Sequence, residues 1–517
     1  MRKIWFLSIC SFFISSFLIL QAQSLPENFD SWVENSRKDW NIPGMAVGIV
    51  KDGEVIYAKG FGTKQIGKND PVDANTIFSI ASVSKNITAA ALGILVDRGQ
   101  IDWDDKIVKH IPWFQLKDPW VTQEITIRDA LTHRVGLGRI LGNRLQYMTE
   151  SSRDSVLYYM RYMDPEKPFR SNFVYNNVMY SLAGQIIEYV DGRTWDKFLK
   201  EELFIPLEMT SSTTSITEIK TSDNQAYPHQ EIDGKVVSIP RRNWDNAGPA
   251  GGVNSTINDL NKWMLMQLGI AGEYNGKTVI STKQMNEIHK PQMIRPQANA
   301  MATQSTYGFG WNIYDYKGKR VLTHGGATDG FNTSMYLMPE INLGIIVVGN
   351  TFNSLGNAIA NQVMDAFLGK NDTDWSERYL NGYKNAYARA TEARQKIHDA
   401  RIKNTKPTLI LNDYTGIYES EGYGKVEVIL SGNSLKLKFW NDANLEANLE
   451  HWHYDTFRAV WKNPAMREEF MQFHLDKSGK VSALDFEFVL RPQLLQAGAY
   501  PSNYTQTVRF GKKVYAE

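Results

Sequence analysis

The order of strand-like and helical segments is the feature that most constrains the fold of this chain. Two strand-like runs, residues 45–50 and 54–60, flank Lys51-Asp52-Gly53, and Asp-Gly between apolar runs is typical of a β-hairpin. Helical patterns dominate from about residue 80 to 300. Strands return over 308–314, 320–324, 333–338 and 343–348, and a helix follows. This order predicts an α+β domain, with one antiparallel sheet built from both ends of the segment and a helical region packed over it.

The rest of the chain is divided by composition, since 517 residues exceed what one hydrophobic core usually serves. We expect the α+β domain to occupy residues 26–369. Residues 370–406 are rich in charge and predict a solvated helical linker. Short alternating strands separated by turns then predict an all-β domain over 407–517, either an antiparallel barrel or a sandwich.

Residues 1–22 have the pattern of a secretory signal peptide, with Arg2 and Lys3 before an apolar run and Ala22 near its end. The pattern predicts a periplasmic or secreted protein. The residues around Ala22 match a cleavage site poorly, and the run is at the short limit for spanning a bilayer. An uncleaved N-terminal membrane anchor is therefore the alternative. Cys10, the only cysteine, lies inside this leader, so the mature chain would have no thiol for disulfides or thiolate catalysis.

Charge and motif content exclude several classes of function. The chain has 57 basic and 56 acidic residues, which gives no electrostatic reason to expect a nucleic-acid partner. Neither H-E-x-x-H nor a comparable histidine–carboxylate cluster is present in the sequence. We therefore expect neither a metal nor a cofactor.

Ser82 and Lys85 form the only Ser-x-x-Lys motif of the chain, at the start of an apolar helix. Positions i and i+3 are neighbours on one helix face. A serine hydroxyl needs an adjacent base to act as a nucleophile, and a lysine can serve if burial or a nearby positive charge or dipole lowers its pKa. The motif predicts a nucleophile–base pair. In the alternative interpretation, Ser82 caps the helix and Lys85 is solvated.

Two further motifs lie far along the sequence from this one. In Tyr175-Asn176-Asn177, the phenol can relay a proton and the Asn177 amide can orient a lysine or a substrate carbonyl. In His324-Gly325-Gly326, the paired glycines let a substrate backbone approach the strand, and the histidine can donate a hydrogen bond. Each motif is weak alone, and the order and spacing of all three favour a catalytic site.

As a set, the three motifs resemble those of the serine β-lactamase and penicillin-binding protein superfamily. The branch resembled contains class C β-lactamases, D-Ala-D-Ala carboxypeptidases, D-aminopeptidases and related esterases. The resemblance covers about residues 28–368 and implies a β-lactamase/transpeptidase-like fold. Residues 412–418 and 449–457 resemble the lipocalin-like domain that follows the catalytic domain in some D-peptidases of this superfamily. This implies a lipocalin-like β-barrel with an accessory role.

The resemblance also implies roles for individual residues. Ser82 would be the acylated nucleophile and Lys85 its base or proton partner. Tyr175 would pass the proton to the leaving group, and Asn177 would hold the acyl amide. The backbone N–H groups of Ser82 and Ala327 would form the oxyanion hole.

The third motif departs from that of strong β-lactamases, because His324 stands where lysine is usual. Histidine is largely neutral above its ordinary pKa of about 6.5, so a permanently charged partner for a substrate carboxylate is lost. The sequence therefore predicts a D-amino-acid peptidase or esterase rather than an efficient β-lactamase, acting on a small molecule or peptide. The alternative is a catalytically silent protein that binds or senses cell-wall peptides or β-lactams. The sequence leaves a homo-oligomer open.

Overall fold

The computed structural model of the chain describes most of the sequence from residue 24 onward. The described residues are 24–139, 141–146, 150–219, 221–269, 272–296, 304–369, 373–440, 442–464, 466, 468–489 and 505–513. The leader predicted over residues 1–22 lies outside them. Within these ranges, none of the helices is long and apolar enough to cross a membrane.

Strands from both ends of the first domain form one antiparallel sheet. The strands of this domain are β1 (Gly44–Lys51), β2 (Glu54–Gly62), β3 (Phe78–Ser79), β4 (His229–Ile232), β5 (Lys235–Ser238), β6 (Asn254–Ser255), β7 (Glu273–Tyr274), β8 (Lys277–Thr278), β9 (Met293–Ile294), β10 (Ser305–Tyr307), β11 (Asn312–Tyr316), β12 (Lys319–Thr328), β13 (Phe331–Met338) and β14 (Leu343–Gly349). The sheet has the order β2-β1-β14-β13-β12-β11-β10-β9. β1 pairs with β14, and Ala46 lies opposite Val348. The predicted sheet is confirmed.

The helices lie on both faces of this sheet. They are α1 (Phe29–Asp39), α2 (Ser84–Asp97), α3 (Ile107–His110), α4 (Pro119–Glu124), α5 (Ile127–Leu131), α6 (Asn143–Gln146), α7 (Arg153–Tyr159), α8 (Val178–Asp191), α9 (Trp195–Leu199), α10 (Ile216–Ile219), α11 (Gly248–Gly251), α12 (Ile257–Leu268), α13 (Thr282–Ile288), α14 (Leu355–Phe367) and α15 (Trp375–Asp399). Every residue of α2 from Ser84 to Leu95 is buried. α2 is therefore the centre of the helical region, in contact with α8, α11 and α13.

Alternation along β14 explains how both faces of the sheet are covered. Ile345 and Val347 belong to the core beneath α1 and α14. Ile346 and Val348 point the opposite way, into the larger core that contains α2 and α8. A strand buried on both faces is apolar along its whole length, as β14 is.

The predicted strand over residues 308–314 was wrong at its start. β10 ends at Tyr307 and β11 begins at Asn312, so a turn separates two strands. Gly310 in this turn has φ of 77°, and a Cβ there would lie 2.7 Å from the backbone nitrogen of Asn86 in α2. The chain leaves the sheet here to pack against the helix.

The segment predicted as a charged helical linker contains α15, a helix of 25 residues. Trp375, Ala386 and Ala390 are buried. The ring of Tyr383 lies 5.4 Å from that of Trp40 in the first domain. One face of this helix therefore packs on the first domain, and Arg394 and His398 near its end pair with Glu468 of the C-terminal domain.

The C-terminal domain is a closed antiparallel barrel. Its strands follow one another around the barrel in sequence order, and they are β15 (Gly416–Ser420), β16 (Gly424–Ser431), β17 (Ser434–Phe439), β18 (Asp442–His453), β19 (Thr456–Trp461), β20 (Glu469–Leu475), β21 (Val481–Val489) and β22 (Thr505–Lys512). The barrel closes where β15 pairs with β22. Alternate residues of β17, Leu435, Leu437 and Phe439, are buried. The all-β barrel prediction is confirmed.

Candidate active site

Ser82 lies in a short 3-10 turn, Ala81–Val83, that leads directly into α2. The preceding residue, Ala81, has φ of 48°. Non-glycine residues rarely adopt this left-handed region, and such strained positions cluster at functional sites. Ser82 is 7% exposed and lines a cleft. The strained turn thus presents Ser82 at a cavity rather than inside the helix.

Lys85 is fully buried one helical turn after Ser82. Its Nζ donates to Ser82 Oγ at 3.2 Å, to Asn177 Oδ1 at 2.8 Å and to the Ala250 carbonyl at 2.6 Å. In its charged form each of the three N–H bonds of Lys85 has an acceptor; in its neutral form the lone pair on Nζ can accept from the Ser82 hydroxyl instead. The same Nζ lies 4.9 Å from the centre of the Tyr175 ring. The structure therefore brings together Ser82, Lys85, Tyr175 and Asn177 from segments that are distant in sequence.

Tyr175 is held in place by contacts of His133 and Asn176. The ring of His133 lies 4.3 Å from that of Tyr175, and His133 Nδ1 accepts from the backbone N–H of Asn176 at 3.2 Å. The Asn176 side chain donates to the carbonyls of Gly138 at 2.7 Å and Leu141 at 3.0 Å. This middle residue of the Tyr-Asn-Asn motif thus ties the tyrosine segment to the wall of the cleft.

His324 lines the cleft, and both of its ring nitrogens have protein partners. Nδ1 lies 2.8 Å from the Gly325 carbonyl, and Nε2 lies 3.1 Å from the Tyr307 hydroxyl. A carbonyl only accepts, so Nδ1 carries the proton and Nε2 accepts from Tyr307. Burial, followed by the nearby charge of Lys85, lowers the pKa of His324 to about 3. The ring is therefore neutral, and its N–H is already committed to Gly325.

The two glycines after His324 have different surroundings. A Cβ on Gly326 would lie 2.1 Å from the Ile80 carbonyl oxygen and 3.2 Å from the Ser82 nitrogen. A Cβ on Gly325 would meet nothing closer than 3.8 Å. Only at Gly326 does β12 need glycine in order to approach the turn of Ser82. This close approach places Ala327, the next residue, beside Ser82 in the lining of the cleft.

The cleft has a volume of about 250 Å³. Its walls combine the sequence-predicted residues with polar side chains from β11, β13 and α14. The lining residues are Ser82, Arg139, Phe173, Tyr175, Arg295, Asn312, His324, Gly325, Gly326, Ala327, Asn332, Thr333, Ser334 and Asn357. Of the sequence-predicted site residues, Lys85 and Asn177 lie behind this wall: Lys85 contacts Ser82, and Asn177 contacts Lys85.

Two arginines in this wall were missed by the sequence analysis. The Arg139 guanidinium lies 4.9 Å from the centre of the Tyr175 ring, and that of Arg295 lies 5.3 Å from the centre of the Phe173 ring. Burial lowers the pKa of Arg295, and the charge of Arg139 acts in the same direction. No local motif surrounds either residue, so only the fold brings the two like charges to one cavity.

A second, much smaller pocket lies on another side of Ser82. Its volume is about 10 Å³, and it is lined by Ala81, Ser82, Asn177, Trp244, Ala250, Gly251, Ala327 and Thr328. Ser82 thus stands between a polar cleft that contains Tyr175 and a narrow space beside Asn177.

Comparison with protein families assigns both parts of the chain. Residues 29–367 match the family model described as Beta-lactamase. Residues 400–497 match a domain of unknown function (DUF3471). The first match covers more than half of the chain and includes every candidate site residue.

Several curated proteins are similar over much of the chain. The Unguisins hydrolase ungD' of Aspergillus campestris is 28% identical over 423 residues, which are 78% of each protein. The Unguisins hydrolase ungD of Aspergillus violaceofuscus is 25% identical over 80% of this chain and 78% of its own. Protein flp of Staphylococcus aureus is 27% identical over 63% of each chain.

Among solved structures, the octameric penicillin-binding protein homologue from Pyrococcus abyssi superimposes with a TM-score of 0.59. The match covers 89% of this chain and 97% of that one, at 22% sequence identity. At this identity the likeness supports the fold alone.

Proposed function

Because the chain belongs to the Beta-lactamase family, we propose that it is a serine hydrolase that acts through an acyl-enzyme on a small peptide, amide or ester. The observation that carries this proposal is the contact of 3.2 Å between Lys85 Nζ and Ser82 Oγ at a cleft. A hydroxyl beside a buried amine, with space for a substrate in front of it, is the arrangement that nucleophilic catalysis needs.

In the proposed reaction, neutral Lys85 takes the proton of Ser82 as Oγ attacks the substrate carbonyl carbon. The resulting oxyanion accepts from the N–H groups of Ser82 and Ala327. The bond to the leaving amine or alcohol then breaks, and the proton passes through Tyr175 to that group. Water attacks the ester carbonyl and loses a proton to the same relay. The products are a carboxylic acid, the free amine or alcohol, and the restored serine.

The polar cleft beside Ser82 supports a class of substrate. Tyr175 delivers the proton to the leaving group, so the leaving group lies in the polar cleft with Arg139 and Arg295. Guanidinium groups pair well with carboxylates. We therefore infer a leaving group with a carboxylate. A peptide ending in a free D-amino acid is a substrate of this kind. The arginines supply the permanent charge that His324 lacks. The histidine at this position is therefore no longer an argument against β-lactams as substrates.

Labelling of Ser82 tests this proposal. A fluorophosphonate probe should label the purified chain, and Ser82→Ala should abolish the label while Ser171→Ala, in an exposed loop, retains it. A chromogenic panel then compares D-aminoacyl amides, short-chain esters, nitrocefin, and an acyl-D-Ala-D-Ala peptide with its C-terminal amide. The free carboxylate should be preferred by about tenfold or more, because a charged hydrogen bond contributes about 1.5–3 kcal/mol. Saturable binding without turnover would favour the silent binding protein.

Export and assembly are part of the same proposal. We propose that residues 1–22 direct the chain to the periplasm or out of the cell, which the N-terminal sequence of the mature protein would test. The Pyrococcus abyssi homologue is octameric. A homo-oligomer of this chain remains a prediction that light scattering would test.

A further inference from the structure

A charged side chain of the first domain is buried in the C-terminal barrel. Arg144 lies in α6, and its side chain is 7% exposed. Its Nη2 lies 2.9 Å from each carboxylate oxygen of Glu469, the first residue of β20, whose side chain is 2% exposed. The two domains are therefore joined by an ion pair that is removed from water.

The surroundings of this pair are built for a guanidinium. The Arg144 guanidinium carbon lies 6.0 Å from the centre of the Phe439 ring and 5.7 Å from the ring centres of Trp461 and Phe486. All three rings belong to the barrel. Aromatic faces attract cations at these distances, and more strongly where water is excluded. We call Glu469 and these three rings the arginine socket.

The segment that carries Arg144 also forms a wall of the candidate active site. We call residues 138–139 and 141–146 the wall segment. Arg139, in this segment, faces the Tyr175 ring. The Asn143 side chain donates to the Arg139 carbonyl. The Asn176 side chain holds the carbonyls of Gly138 and Leu141. The wall segment thus contacts the barrel through Arg144, and it contacts Asn176, the neighbour of Tyr175, through Gly138 and Leu141.

We infer that the barrel is a structural part of the active site, and that Arg144 is a positioning residue. The arginine socket holds the wall segment so that Arg139 faces Tyr175 and the cleft. Removing two charges from water is costly, and a buried ion pair is weak evidence for stability. Its geometric requirement is strict, however, because both carboxylate oxygens must meet one guanidinium. The socket therefore fixes one position of the wall segment against the barrel.

Glu469→Gln in the full chain tests this inference, with Glu450→Gln as the matched control. Glu450 also pairs with an arginine, Arg458, but its side chain is half-exposed. In Glu469→Gln, amide hydrogen exchange in the wall segment should accelerate by about tenfold or more, while exchange in α2 stays as in the wild type. In Glu450→Gln neither should change. Equal exchange in the wall segment of folded Glu469→Gln and of the wild type would overturn the inference.

A kinetic measurement separates the loss of Arg139 positioning from a general loss of stability. This measurement rests on the proposed function. For acyl-D-Ala-D-Ala peptides, KM should rise by about tenfold in Glu469→Gln, because Arg139 is displaced. Fluorophosphonate labelling of Ser82 should stay within about threefold, since the probe has no carboxylate. If the wild type is not labelled, the proposed function fails while the exchange measurement still decides this inference.

Removing one partner of a buried pair can also prevent folding. Glu469→Asp keeps the charge but shortens the side chain. It should also show faster exchange in the wall segment and a higher KM, both to a smaller extent than Glu469→Gln. If Glu469→Gln does not fold, the measurements on Glu469→Asp test the inference in its place. Wild-type exchange in the wall segment and wild-type KM in folded Glu469→Asp would then overturn the inference.

Discussion

The first domain and the barrel bury polar side chains in opposite ways. Around Ser82, the first domain buries Lys85 and His324 from distant parts of the chain. Among the barrel residues that the structure describes, Glu469 is the buried charged residue, and its partner comes from the first domain. Burying a polar group is costly unless it is paired. The comparison teaches that the first domain accepts that cost at the cleft and elsewhere, whereas the described part of the barrel buries a charged residue only where the barrel holds the cleft.

Lys85→Met gives the cleft an apolar side chain like those inside the barrel. Of the changes considered, it should lower the rate of fluorophosphonate labelling the most. The variant lacks the proposed base for Ser82, and it leaves Asn177 Oδ1 and the Ala250 carbonyl without the Lys85 donor. We expect the rate of fluorophosphonate labelling to fall by about a thousandfold. The exposed Lys197→Met serves as control. A rate within tenfold of the wild type would contradict the role of Lys85.

Gly326→Ala should cause the next largest fall in the labelling rate. Gly325→Ala is the matched control on the same strand. The new Cβ at Gly326 would meet the Ile80 carbonyl at 2.1 Å, so β12 must move away from Ser82. A displacement of about 1 Å at a reacting centre costs about a hundredfold in rate. At Gly325 the methyl group has space, and labelling should be unchanged. Equal rates for both variants would show that the close approach of β12 is not needed.

Acid should weaken the first domain more than the barrel. Burial lowers the pKa of His289 and His324 to about 3, lowers that of His133 well below 6.5, and lowers that of His229. These rings are neutral in the folded chain but bind protons below pH 6.5 when it unfolds. The free energy of unfolding therefore falls as the pH falls from 6.5 towards 3, by about 1 kcal/mol per histidine between pH 7.0 and 5.5. The barrel histidines His451, His453 and His474 are less buried, although burial also lowers the pKa of His453.

Pulse proteolysis in urea at pH 7.0 and 5.5, with peptides assigned to each domain by mass spectrometry, measures this difference. His289→Gln should reduce the acid sensitivity of the first domain by roughly a quarter to a third, since one of four buried histidines with a lowered pKa is removed. Equal losses of stability in the two domains would contradict the assignment of neutral buried histidines.

The sequence predicted those parts of the molecule that depend on local spacing. Ser82 and Lys85 meet because residues three apart share a helix face, and the strand order predicted the sheet. The strand over 308–314 failed at Gly310, where contact with α2 overrides the local pattern. Arg139, Arg295 and the Arg144–Glu469 pair have no local signature. They are brought into place by the packing of segments and domains, which a single sequence does not encode in any short motif.

The pairing of β1 with β14 has a consequence for biogenesis. The strand at residues 44–51 stays without its central neighbour until residue 349 has been synthesised. Contacts between residues this far apart form slowly, and unpaired strand edges are prone to aggregation. The turn of Ser82 also needs β12, which is made late. A nascent chain therefore emerges with the turn of Ser82 unsupported, and the candidate site forms only when the domain is complete.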